Sequence, residues 1–171
     1  MNRKKLGKRN QAYGKAQEYR CMDVLSKIDD VEIVKYYGQR HSKAGDFLVR
    51  VGGRQVRFDH KSSRSDTSIR LKKEWVSGLT GINLLRMDKE GVALPAISFN
   101  IYRHPSIYVM VSYPTVVYNN YMAYSTKFNS FVMTAGILKD HAPLCINFDG
   151  YAVHIYELSR FIERIKNNEQ V

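Results

Sequence analysis

The chain has 171 residues, 44% of them hydrophobic, and a formal net charge of +11. This length and composition predict a single domain with one core, and they exclude a disordered chain. No apolar run is long enough for a membrane span, and no apolar signal region follows the charged N-terminal residues. Cys21 and Cys145 are isolated, which argues against a disulfide framework or zinc-type spacing. We therefore expect a cytoplasmic protein with no membrane partner.

The positive charge is concentrated in the first part of the chain. Residues 1–75 contain 19 Lys and Arg against 9 Asp and Glu, whereas the remainder is close to neutral. An uneven basic field favours a polyanionic partner, with nucleic acid as the first choice. A basic surface without a specific role would give the same pattern, so charge alone leaves both readings open.

The chain begins with a predicted basic arm and a predicted helix. Residues 1–13 contain almost no apolar side chains and predict a flexible arm that follows phosphate backbones. Residues 14–29 predict a helix, whose apolar stripe is Cys21, Met22, Leu25 and Ile28. Glu18 falls on this stripe, where a carboxylate is costly unless it is paired or binds a metal. Alternatively, the first turn frays outward and Glu18 only complements the helix dipole.

Two elements follow before the most informative part of the sequence. Residues 31–38 predict a strand, and residues 39–45 form a polar, basic loop. Residues 46–61 then predict a β-hairpin, because two short apolar runs flank the Gly52-Gly53 pair.

Two acids and a lysine occupy matching positions on this hairpin. Asp46 opens the first strand, and Asp59 follows 13 residues later, two positions before Lys61. Side chains alternate faces along a strand, so Asp59 and Lys61 point to the same side and Asp46 can meet them there. Two carboxylates and an ammonium group in one pocket meet the requirements of a Mg²⁺ site for phosphodiester cleavage.

The second half of the chain predicts alternating hairpins and helices. In order, the patterns predict a hydroxyl-rich loop at 62–68, a helix at 69–86, hairpins at 95–112 and 143–156, and a helix at about 157–167. Trp75 is the only tryptophan, and we expect it in the core rather than as a platform for base stacking.

The order of helix with Glu, strand, strand starting with Asp, strand with Asp-x-Lys, and helix resembles the PD-(D/E)XK nuclease superfamily. The closest likeness is to the archaeal-type Holliday junction resolvases. It is carried by Glu18, the loop at 38–43, the separation of Asp46 and Asp59, and the basic stretch 70–74, and it covers about residues 1–112. Gly45 replaces the usual Pro, and Asp59 replaces the commoner Glu.

The resemblance implies an α/β fold with a restriction-endonuclease-like core, a central mixed β-sheet flanked by helices, and a C-terminal extension of a β-hairpin plus helix. The implied organisation is a basic arm at 1–13 and one nuclease domain at 14–171. Within that domain the core would cover about 14–112 and the extension about 113–171.

The resemblance also implies roles for particular residues. Mg²⁺, or Mn²⁺ as a substitute, would be bound by Asp46, Asp59, the backbone carbonyl of His60, and Glu18. Lys61 would position or activate the attacking water, and Ser42 would assist near the scissile phosphate. On strand alternation, the His60 side chain faces away from the site, and we interpret it as a hydrogen-bonded core histidine rather than a catalyst. The expected DNA contacts are Arg3, Lys4, Lys5, Lys8, Arg9, Lys15, Arg40, Lys43, Ser63, Arg64, Arg70 and Lys72.

The sequence therefore predicts a metal-dependent, structure-selective DNA endonuclease, with Holliday junction resolvase as the leading hypothesis and a homodimer as the expected assembly. The alternatives are a nuclease of the same chemistry with another target (restriction-type, repair or phage), or a non-catalytic DNA-binding protein. No GxxxxGK loop is present, so no nucleotide cofactor is expected. The sequence also has no HExxH pattern for zinc and no GxSxG element for a serine nucleophile.

Overall fold

The computed structural model describes residues 2–38, 45–75, 93–100, 106–113, 123–126, 130–148 and 151–167. It is an α/β structure with a mixed central β-sheet flanked by helices, as the sequence predicts. None of the helices in these ranges combines the length and hydrophobicity that a membrane span needs.

The described part of the chain forms three α-helices, a short 3₁₀ helix and ten strands. Their bounds are α1 Arg3–Ser26, β1 Val31–Tyr36, β2 Phe47–Val51, β3 Arg54–Ser62, β4 Ser68–Lys72, a 3₁₀ helix Lys73–Trp75, β5 Ala93–Ser98, β6 Ile107–Tyr113, β7 Ala123–Thr126, β8 Ser130–Thr134, α2 Ala135–His141, β9 Leu144–Phe148, β10 Tyr151–Glu157 and α3 Leu158–Lys166.

Eight strands form the central sheet, in the order β1-β2-β3-β5-β6-β10-β9-β7. The pairs β3–β5 and β7–β9 are parallel, and the other neighbours in this sheet are antiparallel. Strands β4 and β8 pair separately as a two-stranded antiparallel ribbon. The parallel β3–β5 pair joins the hairpin that carries the two acids to the second half of the chain.

The β2–β3 hairpin confirms the prediction for residues 46–61. Its two turn residues, Gly52 and Gly53, have φ of 53° and 85°, which is the left-handed conformation that a two-residue type I′ turn requires. On one face of β3 the side chains are buried, and Phe58 there contacts Phe161 of α3 with ring centroids 6.1 Å apart.

The C-terminal helix is also attached to the edge of the sheet. Lys166 Nζ lies 2.6 Å from Asp30 Oδ2, just before β1 begins. A Cβ added to Gly52 would lie 3.0 Å from Cγ of Lys166. The last turn of α3 therefore lies against the β2–β3 turn, and the packing of α3 supports the hairpin at both its middle and its end.

The N-terminal segment differs from the prediction. Residues 1–13 were expected to be a flexible arm, but α1 already begins at Arg3. The Asn2 side chain accepts a hydrogen bond from the Lys4 backbone N–H at 3.0 Å, which caps the first turn. Residues 3–13 contain no Pro and several strong helix formers, so propensity and a cap extend the helix without an apolar stripe.

The prediction of an α-helix at 69–86 is wrong for the part that the structure describes, residues 69–75. Residues 68–72 form β4, in which buried Ile69 and Leu71 alternate with exposed Arg70 and Lys72. The pairing with β8 decides this outcome, because it places the apolar side chains of β4 on one face at period two, where Ile69 is paired with buried Met133. Residues 76–92 lie outside the described residues, so the rest of that prediction is untested.

The predictions for the second half agree with the structure. The expected hairpins at 95–112 and 143–156 correspond to β5–β6 and β9–β10, and the expected helix at 157–167 corresponds to α3. The β9–β10 hairpin continues the central sheet through the β6–β10 pair. Residues 113–171 thus contain the predicted hairpin and helix, but these elements pack into the same core as the acids.

Candidate active site

Asp46 is held by three hydrogen bonds at the start of β2. Its N–H donates to the Phe58 carbonyl at 2.8 Å, and its carbonyl accepts the Tyr37 N–H at 2.7 Å. Its side-chain Oδ2 accepts the His60 N–H at 2.7 Å. These bonds tie Asp46 to the strands on both sides, so its carboxyl group has a fixed position.

Gly45 has a backbone conformation that proline, the residue found at this position in the family the sequence resembles, cannot adopt. Its φ is +78°, a left-handed value that the proline ring cannot adopt. A Cβ at this position would lie 2.5 Å from the Ala93 Cβ and 2.7 Å from the Phe58 carbonyl oxygen. The close approach of the backbone to β3 and β5 at Asp46 therefore requires glycine here.

Asp59 and Lys61 lie beside Asp46, as the hairpin pattern predicts. The Lys61 Nζ is 3.1 Å from Asp59 Oδ2, and both side chains are about one-third exposed, at 32% and 36%. Besides burial, the charge of Asp59 and hydrogen bonding with it raise the pKa of Asp46, which places the two carboxyl groups next to each other. The two acids and the amine thus form one continuous cluster.

Burial raises the pKa of Asp46 to about 8, and the negative charges of Asp59 and Glu18 add to this effect. The hydrogen bond from the His60 N–H acts in the opposite direction but is outweighed. Two carboxylates in contact cannot both ionise easily. The cluster therefore holds a proton at neutral pH when no cation is present, and a divalent cation would relieve the same repulsion.

Glu18 is buried on α1, with only 8% of its surface exposed. This confirms that it faces inward, and the alternative of a frayed first turn is wrong. Its Oε2 accepts a hydrogen bond from the Tyr36 hydroxyl at 2.6 Å. Burial and this hydrogen bond raise the pKa of Tyr36 above its ordinary value, so the hydroxyl stays protonated and pairs with the carboxylate.

The donors in this cluster are suited to Mg²⁺. Carboxylate and carbonyl oxygens are the hard ligands that this ion prefers, and it is usually held by one or two carboxylates with water and substrate completing its shell. Asp46 and Asp59 supply two such groups in contact. Glu18 is within electrostatic reach of Asp46, but its carboxylate is bound to Tyr36. Within the described ranges, no three His, Cys, Asp or Glu side chains are arranged as a metal-binding group.

The His60 side chain is separate from this cluster, which confirms its interpretation as a core histidine. It is buried, and its Nε2 lies 2.7 Å from the Ser98 hydroxyl on β5. Burial lowers the pKa of His60 to about 4, so the ring is neutral at physiological pH. In a strand, the N–H and C=O of one residue point toward the same neighbouring strand. The His60 N–H points to Asp46, so the His60 carbonyl also faces Asp46, just beyond the end of β2.

Trp75 has a second contact besides the core. It is half-buried against the core cluster, and the Lys61 ammonium lies 5.9 Å from its ring centroid. A cation at this distance from an indole is attracted by the negative face of the ring. Trp75 therefore restricts the position of Lys61 from one side, while Asp59 does so from the other.

The expected DNA contacts are divided among three parts of the molecule. Those on α1 are all exposed and comprise Arg3, Lys4, Lys5, Lys8, Arg9 and Lys15. Arg70 and Lys72 are exposed on β4, and the Ser63 hydroxyl accepts the Ser65 N–H at 3.1 Å. Arg40, Ser42 and Lys43 lie outside the described residues.

Arg64 connects the basic helix to the strand that carries the acids. Its guanidinium carbon lies 4.3 Å from the Tyr13 ring centroid, and its Nη2 donates to Asn10 Oδ1 at 3.0 Å. Arg64 follows Lys61 by three residues. The middle of α1, at Asn10 and Tyr13, is therefore joined to the segment that follows β3.

Several residues at the site have no signal in the sequence. Tyr36 and Ser98 hold Glu18 and His60 through contacts between distant segments, which spacing cannot reveal. Gln17 is fully buried, and within the described part of the chain neither polar atom of its amide has a hydrogen-bond partner. The position of Arg57 near the site could have been predicted from the sequence, because it precedes Asp59 by two residues and so lies on the same strand face.

No protein-family model, curated protein or solved structure matches this chain.

Proposed function

We propose that this protein is a Mg²⁺-dependent endodeoxyribonuclease of the PD-(D/E)XK type. The observation that carries the proposal is the cluster at the start of β2. Asp46 and Asp59 are in contact there, and Lys61 lies 3.1 Å from Asp59. Hard oxygen ligands next to a fixed cation are the groups that phosphodiester hydrolysis needs.

The proposed metal ligands are Asp46, Asp59 and the His60 carbonyl. A bound Mg²⁺, or Mn²⁺ in its place, would neutralise the scissile phosphate and acidify a water molecule. Asp46 must lose its proton for this. Burial and the negative charges of Asp59 and Glu18 raise its pKa to about 8, and a bound cation would offset those charges. The His60 N–H holds Oδ2 of Asp46, which leaves Oδ1 for ligation.

Lys61 has the proposed role of stabilising charge. Its ammonium group is held between Asp59 and the Trp75 ring, so it is oriented before substrate binds. A positioned cation stabilises the negative charge that develops on the phosphate during in-line attack, and it also orients the attacking water. Glu18 would act through the electrostatics of Asp46, because its own carboxylate is paired with Tyr36.

The proposed substrate is branched DNA, with four-way junctions as the leading case. The exposed cations of α1 and the Arg64 contacts extend a basic surface from the cluster along the helix. Such a surface favours recognition of backbone and shape over reading of base edges. A homodimer would place two sites on the two strands that are cut. A nuclease of the same chemistry with another target is the alternative.

A non-catalytic DNA-binding role has less support. Two acids in contact, one of them with its pKa raised to about 8, are costly for a structural purpose. A positive DNA-binding surface gains nothing from a half-buried carboxylate pair. The arrangement is instead typical of sites where shifted pKa values serve chemistry.

The test is cleavage of a substrate panel by wild type, Asp59→Asn and the control Asp140→Asn. The panel contains a four-way junction, a flap, a duplex and a single strand, with Mg²⁺, and binding is measured in Ca²⁺. Asp140 is exposed on α2, so the control removes the same charge elsewhere. We expect paired symmetric nicks on the junction for wild type and control, with lost cleavage but retained binding for Asp59→Asn.

Three results would decide between the alternatives. Unchanged cleavage by Asp59→Asn would overturn the assigned site. Equal cutting of plain duplex and junction would favour a nuclease with another target. Binding without cleavage in wild type at any Mg²⁺ or Mn²⁺ concentration would favour the non-catalytic protein.

A further inference from the structure

Two cations meet at one aromatic ring next to the carboxylate cluster. The Lys35 ammonium lies 5.1 Å from the Tyr37 ring centroid, and the Arg57 guanidinium carbon lies 6.0 Å from the same centroid. Lys35 is exposed, whereas Tyr37 and Arg57 are half-buried. The group is thus partly open to solvent and partly fixed by its surroundings.

These residues lie on the same sheet face as Asp59. Leu48 of β2 is paired with Lys35 on one side and with Arg57 on the other, and directly paired residues share a face. Arg57, Asp59 and Lys61 follow one another at alternate positions of β3, which also places them on one face. A continuous row therefore leads from Lys35 across β2 to Arg57 and then along β3.

The group is also fixed to the first acid. The Tyr37 N–H donates to the Asp46 carbonyl at 2.7 Å, so the residue that receives both cations is bonded to a proposed metal ligand. A ligand held by Lys35 and Arg57 would have a defined position relative to Asp46. Exposed cations on flexible loops would not give such a defined position.

Among the described residues, no ion pair neutralises the positive charge of the group, because neither Lys35 nor Arg57 takes part in one. Arg50, the neighbouring cation on β2, is paired with Glu32 at 2.8 Å. Lys35 and Arg57 carry like charges, which repel each other around the Tyr37 ring. An anion bound between them would remove the repulsion.

We propose that Lys35, Tyr37 and Arg57 form a second phosphate subsite, which binds the DNA backbone next to the phosphate that is cleaved. The proposal rests on the proposed nuclease function and adds a specific substrate contact to it. Two strand residues span about 7 Å, so Arg57 lies within one or two nucleotides of the carboxylate centre for a backbone that rises about 3.4 Å per phosphate. The subsite would fix the direction in which the bound DNA strand crosses β3.

The test is the salt dependence of binding by the double variant Lys35→Gln/Arg57→Gln. Fluorescence anisotropy with a labelled four-way junction in Ca²⁺ gives Kd at several salt concentrations without cleavage. Each phosphate contact contributes about 0.9 to the slope of log K against log salt, so two lost contacts reduce the slope by about 1.8. The matched control is Lys139→Gln/Arg160→Gln, which removes two exposed cations from α2 and α3.

The single variant Lys35→Gln guards against misfolding, because Lys35 is exposed and its loss leaves the core unchanged. We expect a slope reduced by about 0.9, with a melting temperature close to that of wild type. Equal slopes for Lys35→Gln and wild type, or for the double variant and its control, would overturn the subsite.

The two proposals fail in distinguishable ways. If Asp59→Asn loses cleavage while the double variant binds like its control, the nuclease stands and the subsite is wrong. If the double variant loses salt-dependent binding while wild type cuts no substrate, the subsite stands as a DNA contact and the nuclease is wrong. If wild type neither binds nor cuts any of the four substrates of the panel, both are wrong.

Discussion

The backbone N–H of His60 donates to Oδ2 of Asp46 at 2.7 Å, so the strand that carries Asp59 also orients the other acid. One oxygen of Asp46 is thereby committed to β3, and the other remains for the cluster. The same residue, His60, is anchored on its opposite side by the Ser98 hydroxyl. The carboxyl pair is therefore positioned by the sheet itself rather than by a loop, which is favourable for a precise site.

The stability of the metal-free protein should fall as pH rises, because of Asp46. Its pKa in the folded state is about 8, above its ordinary value of 3.8, so between these values the folded state holds a proton that the unfolded state has lost. The stabilisation is complete below pH 4 and is lost as pH rises through 8. We expect Asp46→Asn to flatten this decline in urea unfolding measured from pH 5 to 9 in EDTA. Parallel curves for the variant and wild type would contradict the assignment.

Divalent metal should reverse this trend. Binding to the folded state raises stability by mass action and displaces the proton of the acid pair. We expect Mg²⁺ or Mn²⁺ to raise the melting temperature of wild type and of Asp140→Asn, most strongly near pH 8. Asp46→Asn and Asp59→Asn should show little or no increase. A rise of equal size in all four proteins would place the metal elsewhere.

Removal of metal should abolish the proposed cleavage but not the binding. After treatment with EDTA we expect no nicked product, with activity restored by Mg²⁺ or Mn²⁺, because the attacking water of the proposed mechanism is acidified only by a metal bound at Asp46 and Asp59. Ca²⁺ should support junction binding with little turnover. The measurement is a single-turnover gel assay in each metal. Full activity in the stripped protein would exclude the mechanism.

Trp75 should affect the rate of cleavage through Lys61. Loss of a cation–π contact at a partly exposed site costs about 1 kcal/mol, which corresponds to a rate reduced about fivefold. We expect Trp75→Leu to lower the single-turnover rate by this factor and to change its pH profile, while Trp75→Phe keeps most of the rate. Since Trp75 also packs against the core, melting temperatures of both variants serve as the control. Equal cleavage rates for Trp75→Leu and Trp75→Phe would show that Trp75 only packs against the core.

Gln17 should be replaceable without loss of stability. A buried amide without a partner costs about 1–3 kcal/mol, so the nearly isosteric Gln17→Met should raise the free energy of unfolding by about 1 kcal/mol. Lys5→Met, at an exposed position of the same helix, is the control and should stay within about 0.5 kcal/mol of wild type. A marked loss of stability in Gln17→Met would show that the amide has a stabilising partner in solution.

The carboxylate cluster could be predicted because its information is local. The alternation of the β2–β3 hairpin and the Gly52-Gly53 turn fix its register, and the register fixes which side chains meet. Burial of Glu18 could be predicted from its place on an apolar stripe. The nuclease function and the DNA contacts inferred from the same residues stay predictions.

Other features depend on pairings that a linear pattern does not contain. Residues 69–72 form a strand because β8, some sixty residues later, pairs with them, while Leu71 and Trp75 alone fit a helical spacing equally well. The parallel register that brings Ser98 near His60 is equally non-local. The early start of α1 was missed for a different reason, because an exposed helix needs a cap and good propensity but no apolar stripe.

The position of α3 has a consequence for folding kinetics. Phe161 packs against Phe58, and Lys166 pairs with Asp30, which lies 136 residues earlier in the chain. Contacts between such distant segments close a long loop, so they slow folding more than they weaken the folded state. The rate at which the acid pair becomes ordered therefore depends on long-range contacts as well as on the local hairpin.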